Sequence, residues 1–284
     1  MKKTETVAAL LQKARKSLFE ADIELSALDA RLLLQAASGF SHEMIVAEPD
    51  LVLSYEQICQ FKNFINRRLA HEPVSRIMQL REFYGRPFQI TKDVLDPRAD
   101  TETVIELALE LMGDGFYDLL DIGTGSGAIA VTLLAERPEL TGVAVDVSEN
   151  ALHVAKQNAL ANGVSGRLKF HQGTWFQGLT QKFDLIISNP PYIPHGEIAG
   201  LESEVKDHDP HLALDGGHDG LFAYRAIASG LGAHLNDQGL VIVEIGAGQG
   251  DAVKTIFAGH GFETLKQKLD LGGHLRALAF GRAH

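Results

Sequence analysis

The regular alternation of apolar strands and helices after residue 116 constrains the fold of this chain more than any other feature. Apolar runs predict strands at residues 117–122, 142–147, 168–171, 183–188 and 240–245, and helices at 128–134, 148–162 and 221–235. This order is typical of a mostly parallel sheet with helices on both faces, because each strand needs a crossover to reach a parallel neighbour. Two last runs, at 262–268 and 276–280, predict an antiparallel edge. The predicted fold class is therefore α/β with a Rossmann-like sheet.

The first seventy residues have a helical pattern instead, with two predicted helix starts. Ser26 with Asp29, and Ser54 with Gln57, each have the spacing of a capping box, in which two side chains cap the backbone reciprocally. The second helix is expected to end near Ala70, because a proline follows shortly after it. These patterns predict a small helical domain with short loops.

A change of composition divides the chain into three predicted parts. Residues 74–100 contain an aromatic stretch with turn-forming residues, which favours a hairpin or linker. Asp100 is predicted to cap a helix that begins the larger domain. The predicted division is a helical domain at 1–73, a hairpin or linker at 74–100 and a large domain at 101–284.

The overall composition excludes several classes of protein. Of 284 residues 45% are hydrophobic, which is enough for a substantial core, and the net charge of −11 disfavours a protein that grips duplex nucleic acid by its phosphates. Cys59, the single cysteine, permits no intrachain disulfide and is interpreted as a core residue on a helix. No segment has the roughly 20 apolar residues that a membrane helix needs. A cytoplasmic protein without a membrane partner is expected.

A glycine-rich turn follows the first predicted strand of the sheet. The stretch Gly123-Thr124-Gly125-Ser126-Gly127 lies between this strand and a helix, where glycines allow a sharp turn and close approach of a ligand to the backbone. Asp146 ends the next strand, and its carboxylate can accept hydrogen bonds from both hydroxyls of a ribose. Such a turn fits either a dinucleotide or S-adenosylmethionine.

Asp121 helps to distinguish these two ligands. A carboxylate at the start of the glycine-rich turn repels a pyrophosphate but attracts the ammonium and sulfonium groups of S-adenosylmethionine. The sequence therefore favours S-adenosylmethionine. A second glycine-rich stretch, at residues 243–250, lacks a following strand that ends in an acid and is interpreted as a structural turn.

The most specific stretch is Asn189-Pro190-Pro191-Tyr192, which follows the apolar strand at 183–188. The two prolines fix φ and supply no N–H donors, so the loop is stiff and presents carbonyl acceptors. The Asn189 side-chain oxygen and the Pro190 carbonyl can accept both N–H bonds of an amide or aromatic amine, which orients its lone pair and stabilises developing positive charge. Tyr192 can stack on the planar group. This pattern predicts methyl transfer to a planar nitrogen without a metal.

At these motifs the chain resembles the protein-(glutamine-N5) methyltransferases of peptide-chain release factors, the HemK/PrmC family. The closer resemblance comes from Arg81-Glu82-Phe83-Tyr84-Gly85 and Pro97-Arg98-Ala99-Asp100-Thr101-Glu102, since the Asn-Pro-Pro-Tyr loop is shared with other amino methyltransferases. The resemblance implies a seven-stranded methyltransferase sheet behind a helical substrate-binding domain. It also implies that the substrate is the glutamine of the Gly-Gly-Gln motif in a release factor.

The predicted site combines the residue-based reading with this resemblance. The resemblance adds Trp175 as a cofactor contact, whereas Thr174 stands where many members have an aspartate and supplies no carboxylate for the adenine amino group. The predicted catalytic residues are Asn189, Pro190, Pro191 and Tyr192. The predicted contacts to S-adenosylmethionine are Asp121, Gly123, Thr124, Gly125, Ser126, Gly127, Asp146, Trp175 and Asn189.

Two other functions stay open at the level of sequence. A nucleic-acid amino methyltransferase acting on adenine or cytosine would share the Asn-Pro-Pro-Tyr loop, but usually has a basic cleft and flips its target base. A non-catalytic cofactor-binding adaptor would have no need of an intact Asn189 loop. We expect release factors as partners and no direct contact with nucleic acid.

Overall fold

The computed structural model describes residues 5–113, 115 and 118–283. The chain forms two compact units that divide between Gln79 and Leu80. The first unit is helical and contains five helices: α1 (Val7–Glu20), α2 (Ser26–Ser38), α3 (His42–Ala47), α4 (Tyr55–Leu69) and α5 (Val74–Met78). Its core is formed by buried apolar residues from the helices and their connections, including Leu18, Leu33 and Phe61.

Two helix starts in the first unit test the predicted capping boxes. Ser54 and Gln57 form the predicted reciprocal box at the start of α4. The prediction for Ser26 is wrong, because α2 already includes Ser26 and Leu25 precedes it without a side-chain cap. The Asp29 carboxylate instead forms a buried ion pair with Arg68, 2.7 Å away, which satisfies the guanidinium inside the unit.

The structure corrects one further expectation for this region and narrows another. Cys59 is exposed rather than buried, because it lies on the outer face of α4. Residues 74–78 are helical, so the hairpin predicted within 74–100 is confined to β1 (Leu80–Phe83) and β2 (Arg86–Gln89), which pair antiparallel.

The second unit contains a seven-stranded sheet with the strand order β5-β4-β3-β6-β7-β9-β8. The strands are β3 (Asp118–Ile122), β4 (Thr141–Asp146), β5 (Leu168–Gln172), β6 (Phe183–Ser188), β7 (Leu235–Glu244), β8 (Phe262–Leu269) and β9 (Leu275–Arg282). The first five are parallel, and β9 pairs antiparallel with both β7 and β8. The α/β fold class with an antiparallel edge is confirmed. Tyr117, the predicted first residue of β3, lies outside the described residues.

Helices lie on both faces of this sheet: α6 (Glu102–Leu111), α7 (Ala128–Glu136) and α8 (Glu149–Ala161) on one, and α11 (Phe222–His234) and α12 (Gly250–Ala258) on the other. Two short helices, α9 (Ser203–Lys206) and α10 (His211–Leu214), lie in the connection between β6 and α11. Most residues of the inner strands β3 and β6 are buried, as expected for parallel strands covered on both faces. Two separate apolar clusters therefore lie on the two sides of the sheet. Within the described ranges, no helix is both long enough and apolar enough to span a bilayer.

The helix that opens the large domain starts differently from the prediction. Asp100 lies in a short 3-10 turn at Ala99–Thr101, and α6 begins at Glu102 without a side-chain cap. The Asp100 carboxylate is instead 3.1 Å from the Arg276 guanidinium. The predicted cap is therefore wrong, because an ion pair with β9 uses this side chain.

Candidate active site

The candidate site lies at the carboxyl edge of the parallel strands. Strand β3 is flanked by β4 on one side and β6 on the other, so the connections after β3 and β6 leave adjacent strand ends. In open α/β sheets, ligands bind beyond the carboxyl ends of the strands where the strand order reverses. The two predicted motifs, one after β3 and one after β6, are therefore neighbours.

The glycine-rich turn after β3 depends on left-handed backbone. Gly123, Gly125 and Gly127 have φ values of 73°, 54° and 81°, a region that other residues rarely adopt. A Cβ on Gly127 would also lie 3.2 Å from the Cβ of Ala155 on α8. These glycines let the turn close tightly while the helix packs against its neighbour.

Asn158 on α8 holds this turn in place, a role that the sequence did not reveal. Its side-chain nitrogen donates to the Ser126 carbonyl at 2.8 Å and to the Gln89 carbonyl at 3.1 Å, and its oxygen accepts from the Gln89 N–H at 2.6 Å. Asn158 is 1% exposed. The buried amide thus ties the glycine-rich turn to the end of the hairpin.

Asp121, at the start of the turn, is a buried carboxylate with one unsatisfied oxygen. The Thr124 hydroxyl donates to its Oδ2 at 2.6 Å, whereas its Oδ1 has no hydrogen-bond partner among the described residues. Burial raises the pKa of Asp121 to about 7, although the hydrogen bond from Thr124 opposes this shift. A buried acceptor in this state gains most from a ligand that brings a positive charge.

Asp146 ends β4 with its carboxylate held by two backbone donors. Its Oδ2 accepts from the Gly125 N–H and its Oδ1 from the Ser148 N–H, each at 2.9 Å. Each carboxylate oxygen can accept a further bond. The carboxylate is therefore oriented beside the glycine-rich turn and retains acceptor capacity for a diol. Asp121 and Asp146 together make the turn suitable for a cation with a ribose and unsuitable for a pyrophosphate.

Trp175 lies in the connection that follows β5. The Gly173 N–H donates to the Asp146 carbonyl at 3.1 Å, so this connection starts beside the end of β4. Trp175 has a left-handed backbone with φ of 53° and contacts Phe222 edge-to-face at a centroid distance of 6.3 Å. Its neighbour Thr174 is exposed. The half-buried indole is therefore placed at the same edge as the turn, and its contact with adenine stays a prediction.

Asn189, Pro190, Pro191 and Tyr192 leave the end of β6 as predicted, and the Asn189 side chain has a described partner. Its nitrogen donates to the Thr101 hydroxyl oxygen at 3.1 Å. Thr101 is 4% exposed, whereas Asn189 is half-buried. The other end of the Asn189 amide, its oxygen, remains available as an acceptor.

Tyr192 points its hydroxyl toward a second buried carboxylate, Glu244 at the end of β7. The two side chains are 3.5 Å apart, from Tyr192 Oη to Glu244 Oε1. Burial raises the pKa of Glu244 to about 7, although the neighbouring Thr101 hydroxyl and the Arg276 guanidinium oppose this shift. Burial, together with the charge of Glu244, raises the pKa of Tyr192 to about 12, so the phenol stays protonated. These contacts hold Tyr192 from inside the protein, and its predicted stacking on substrate remains a prediction.

The second glycine-rich stretch is a structural turn, and it supports the loop after β6. The Gln249 side chain donates to the Tyr192 carbonyl at 2.8 Å and accepts from the Gly246 N–H at 3.1 Å. A Cβ on Gly246 would lie 2.9 Å from the Tyr192 ring, and one on Gly216 would lie 2.8 Å from the Tyr192 backbone. Only glycines allow the loop to be clamped this closely.

The structure thus brings the predicted residues to one edge of the sheet and adds residues that sequence reasoning missed. Glu244 could have been suspected, because a carboxylate ends an apolar strand. Thr101 lies within a quoted motif, but its contact with Asn189 crosses 88 positions of the chain and has no local sequence pattern. Among the described residues, no group of three or more His, Cys, Asp or Glu could hold a metal ion. The missed residues are Thr101, Asn158, Glu244 and Gln249.

Comparison with protein families matches both units of the chain. Residues 9–78 match the model described as the PrmC N-terminal domain, and residues 101–207 match the methyltransferase small domain. A release factor glutamine methyltransferase of Agrobacterium fabrum is 41% identical over 282 residues, covering 98% of this chain and 98% of the relative. Its counterpart in Cereibacter sphaeroides is 44% identical over 272 residues, covering 96% and 97% respectively.

Solved structures extend the comparison at the level of the fold. The ribosomal protein L11 methylase of Lactobacillus delbrueckii superposes with a TM-score of 0.51 and 20% identity, covering 72% of this chain and 90% of that one. A methyltransferase of Pyrococcus furiosus gives a TM-score of 0.53 and 18% identity, covering 80% and 98%. At such identities the likeness concerns the fold alone.

Proposed function

This chain belongs to the release factor glutamine methyltransferase family, and from that premise we propose that it methylates the side-chain amide nitrogen (N5) of the glutamine in the Gly-Gly-Gln motif of peptide-chain release factors. The observation that carries the proposal is the position of Asn189 at the end of β6, beside the glycine-rich turn after β3. One ligand can lie on the turn while a planar amide lies on the loop. S-adenosylmethionine, when bound, supplies the methyl group.

The residues around the turn fit that cofactor. The unsatisfied oxygen of Asp121 suits an ammonium group, and the oriented carboxylate of Asp146 suits the ribose hydroxyls. We assign the backbone of residues 123–127 and Trp175 to the same ligand, in agreement with the prediction from sequence. The product is S-adenosylhomocysteine.

The loop after β6 is suited to a poor nitrogen nucleophile. An amide lone pair is delocalised, so the site must orient the nitrogen rather than deprotonate it. The Asn189 side-chain oxygen and the Pro190 carbonyl accept its two N–H bonds and stabilise the positive charge that develops on nitrogen. Holding the nitrogen in line with the methyl group lowers the barrier further, because orientation entropy is lost on binding rather than in the reaction.

We assign recognition of the release factor surface to the first unit and catalysis to the second. The predicted boundary at residue 73 differs from the division of the structure after Gln79, so helix α5 joins the first unit. The glycines of the Gly-Gly-Gln motif let a chain enter a narrow site without side-chain clashes. A release factor substrate also places the reaction in the cytoplasm.

Mass spectrometry of purified release factor tests the proposal. After incubation with the enzyme and S-adenosylmethionine, we expect one added methyl group on the motif glutamine, and none when that glutamine is replaced. Duplex DNA, RNA and a short free Gly-Gly-Gln peptide serve as parallel substrates. Transfer to DNA or RNA with none to any release factor would refute the proposal in favour of a nucleic-acid amino methyltransferase.

A further inference from the structure

The polar side chains of residues 98–102 bind to four different elements around the candidate site. Each polar side chain of this stretch binds a different element, and the contacts join the segment before α10, β9, the loop after β6 and the hairpin. They are Arg98 with Asp209 at 2.8 Å, Asp100 with Arg276 at 3.1 Å, Thr101 with Asn189 at 3.1 Å and Glu102 with the Tyr84 N–H at 2.9 Å. Of the four, only Thr101 touches a predicted catalytic residue.

The contact between Thr101 and Asn189 determines which end of an amide faces the substrate. An asparagine side chain has an NH2 donor end and an oxygen acceptor end of nearly equal shape. In the orientation described, the NH2 group donates to the Thr101 Oγ1 and the oxygen is left to accept. The reversed orientation would present N–H bonds to the N–H bonds of the substrate amide, which is repulsive.

The direction in which the Thr101 O–H bond points selects between these two orientations of the Asn189 amide. A hydroxyl has one proton, so if that proton is donated elsewhere, the oxygen can only accept from Asn189. The Glu244 carboxyl is 2% exposed, and its Oε2 has no hydrogen-bond partner among the described residues, so it needs a donor. The Thr101 hydroxyl favours the ionised form of this carboxyl. Ionised Glu244 therefore attracts the Thr101 proton and leaves an acceptor for the Asn189 NH2 group.

We infer that Thr101 and Glu244 are positioning residues that hold the Asn189 amide with its nitrogen inward and its oxygen toward the substrate nitrogen. The inference rests on the proposed function of the loop and deepens it, since neither residue touches substrate. Two features make the arrangement specific. Thr101 is buried, so water does not replace its hydroxyl, and Tyr192 Oη approaches the same carboxylate from the catalytic loop.

Threonine variants provide the main test. Thr101→Val preserves the shape and removes the hydroxyl, so we expect kcat to fall about 10-fold or more, because a buried donor loses its partner. The dissociation constant for S-adenosylmethionine should change by no more than about twofold, since the lost contact acts on the substrate side. Thr101→Ser should restore most of the activity.

Thr132 provides a matched control on helix α7. It is 0% exposed, and its hydroxyl has no hydrogen-bond partner among the described residues. Thr132→Val therefore makes the same change in a buried site without breaking a hydrogen bond, and kcat should stay at the wild-type level. If Thr101→Val has the same kcat as Thr132→Val, the positioning role is refuted.

The pH dependence of kcat tests Glu244. Charged and titratable groups face Glu244 from β9, the turn before α6, the loop after β6 and α11, namely Arg276, Asp100, Tyr192 and Tyr224. With the Glu244 pKa near 7, its protonated form predominates below neutral pH and can donate to Thr101, which reverses the hydroxyl. At saturating cofactor, kcat should fall roughly 10-fold from its plateau to about pH 6.

Glu244→Gln should remove this pH dependence, because the substituted group does not titrate. Nuclear magnetic resonance of the Asn189 side-chain NH2, assigned through its loss in Asn189→Asp, reads the orientation without substrate. Thr101→Val should shift this resonance and Thr101→Ser should largely restore it. An unchanged resonance in Thr101→Val refutes the inference, whereas absence of methyl transfer by the wild type to any release factor refutes the proposed function alone.

Discussion

Cofactor binding should depend on the ionisation of Asp121, and the structure gives the size of the effect. The pKa of Asp121 is raised to about 7 by burial, and its Oδ1 has no partner among the described residues. If only the ionised carboxylate binds the ammonium group, the apparent dissociation constant equals the intrinsic one divided by the ionised fraction. That fraction is about 0.09 at pH 6 and about 0.5 at pH 7, so binding should be about fivefold weaker at pH 6.

Replacement of Asp121 by asparagine separates this effect from other titrations. Asp121→Asn removes the charge, so binding near neutral pH should be about 10- to 100-fold weaker, since a hydrogen bond to a charged group contributes about 1.5–3 kcal/mol. The dependence of binding on pH between 6 and 7 should also disappear. Asp251→Asn is the matched control, because it removes the same charge from a fully exposed position on α12.

Calorimetric titration with S-adenosylhomocysteine measures these constants without turnover. The range from pH 6 to pH 7 lies below the usual pKa of an α-amino group, about 7.7–8.0, so the ligand keeps its charge. A wild-type dissociation constant that is the same at both pH values, or Asp121→Asn that binds as tightly as the wild type, would refute the assignment of Asp121 to the ammonium group.

Thermal unfolding without ligand gives an independent check on the same carboxyl. Because the folded-state pKa of Asp121 lies above its ordinary value of 3.8, its neutral form stabilises the fold at low pH, and this stability is lost progressively as the pH rises from 3.8 through about 7, with little further loss above that. The Tm of Asp121→Asn relative to the wild type should therefore increase from pH 6 to pH 8. A constant difference in Tm would contradict the raised pKa.

Three further substitutions test other contacts of the site. Asp146→Ala should weaken binding of S-adenosylmethionine by about 10- to 100-fold in calorimetry, because a charge-assisted hydrogen bond is lost; an unchanged constant would refute the ribose assignment. Asn189→Ala should reduce turnover more than it weakens cofactor binding, and turnover near the wild-type level would show that another group holds the nitrogen. Gln249→Ala should lower both the free energy of unfolding, by about 1–3 kcal/mol, and kcat, because the Tyr192 carbonyl loses its donor. Chemical denaturation measures the first effect and turnover at saturating substrate the second. If neither quantity changes, Gln249 does not support the loop.

Much of the second unit could be predicted from sequence because its central strands are buried on both faces. The predicted strand at 183–188 coincides with β6, and the predicted helix 148–162 corresponds to α8 with Ser148 as its cap. Strand β7 starts five residues earlier than predicted, at Leu235 rather than 240. The polar residues Asn236 and Asp237 hide this extension from a search for apolar runs.

The errors in prediction share a physical cause. Ser26 and Asp100 were both expected to cap helices, since local spacing favours such caps. In the structure, Asp29 pairs with Arg68 and Asp100 with Arg276, and both partners are distant along the chain. A partly buried guanidinium needs a carboxylate more than a helix end does, because the helix end can be satisfied by water. Long-range charge pairing therefore overrides a local capping pattern.

Long-range contacts also limited what could be predicted about the candidate site. Asp121, Asp146 and Asn189 lie at or next to the carboxyl ends of three parallel strands, so topology alone brings them together. The supporting contacts of Thr101, Asn158 and Gln249 join separate elements, and nothing in their local sequence specifies the partner. Motif reasoning can find the residues that face a ligand, whereas the residues that hold them require the packed structure.

Two buried carboxyl groups with raised pKa values flank the strand that carries Asn189. The sheet order places β3, which ends near Asp121, and β7, which ends at Glu244, on opposite sides of β6. Burying a carboxylate destabilises a fold unless a partner compensates for its charge, so two such groups beside one loop require a reason. On the β3 side we expect the ammonium group of the cofactor to supply the compensating charge, and on the β7 side the Thr101 hydroxyl and Arg276 favour the ionised form.

Both groups have a pKa of about 7, so activity should decline below neutral pH for two separable reasons. Protonation of Asp121 should weaken cofactor binding, and excess cofactor should overcome that loss. Protonation of Glu244 should alter the orientation of the Asn189 amide, which no concentration of cofactor would restore. The pH dependence of the cofactor KM should therefore disappear in Asp121→Asn and that of kcat in Glu244→Gln, because each carboxyl acts on its own side of β6.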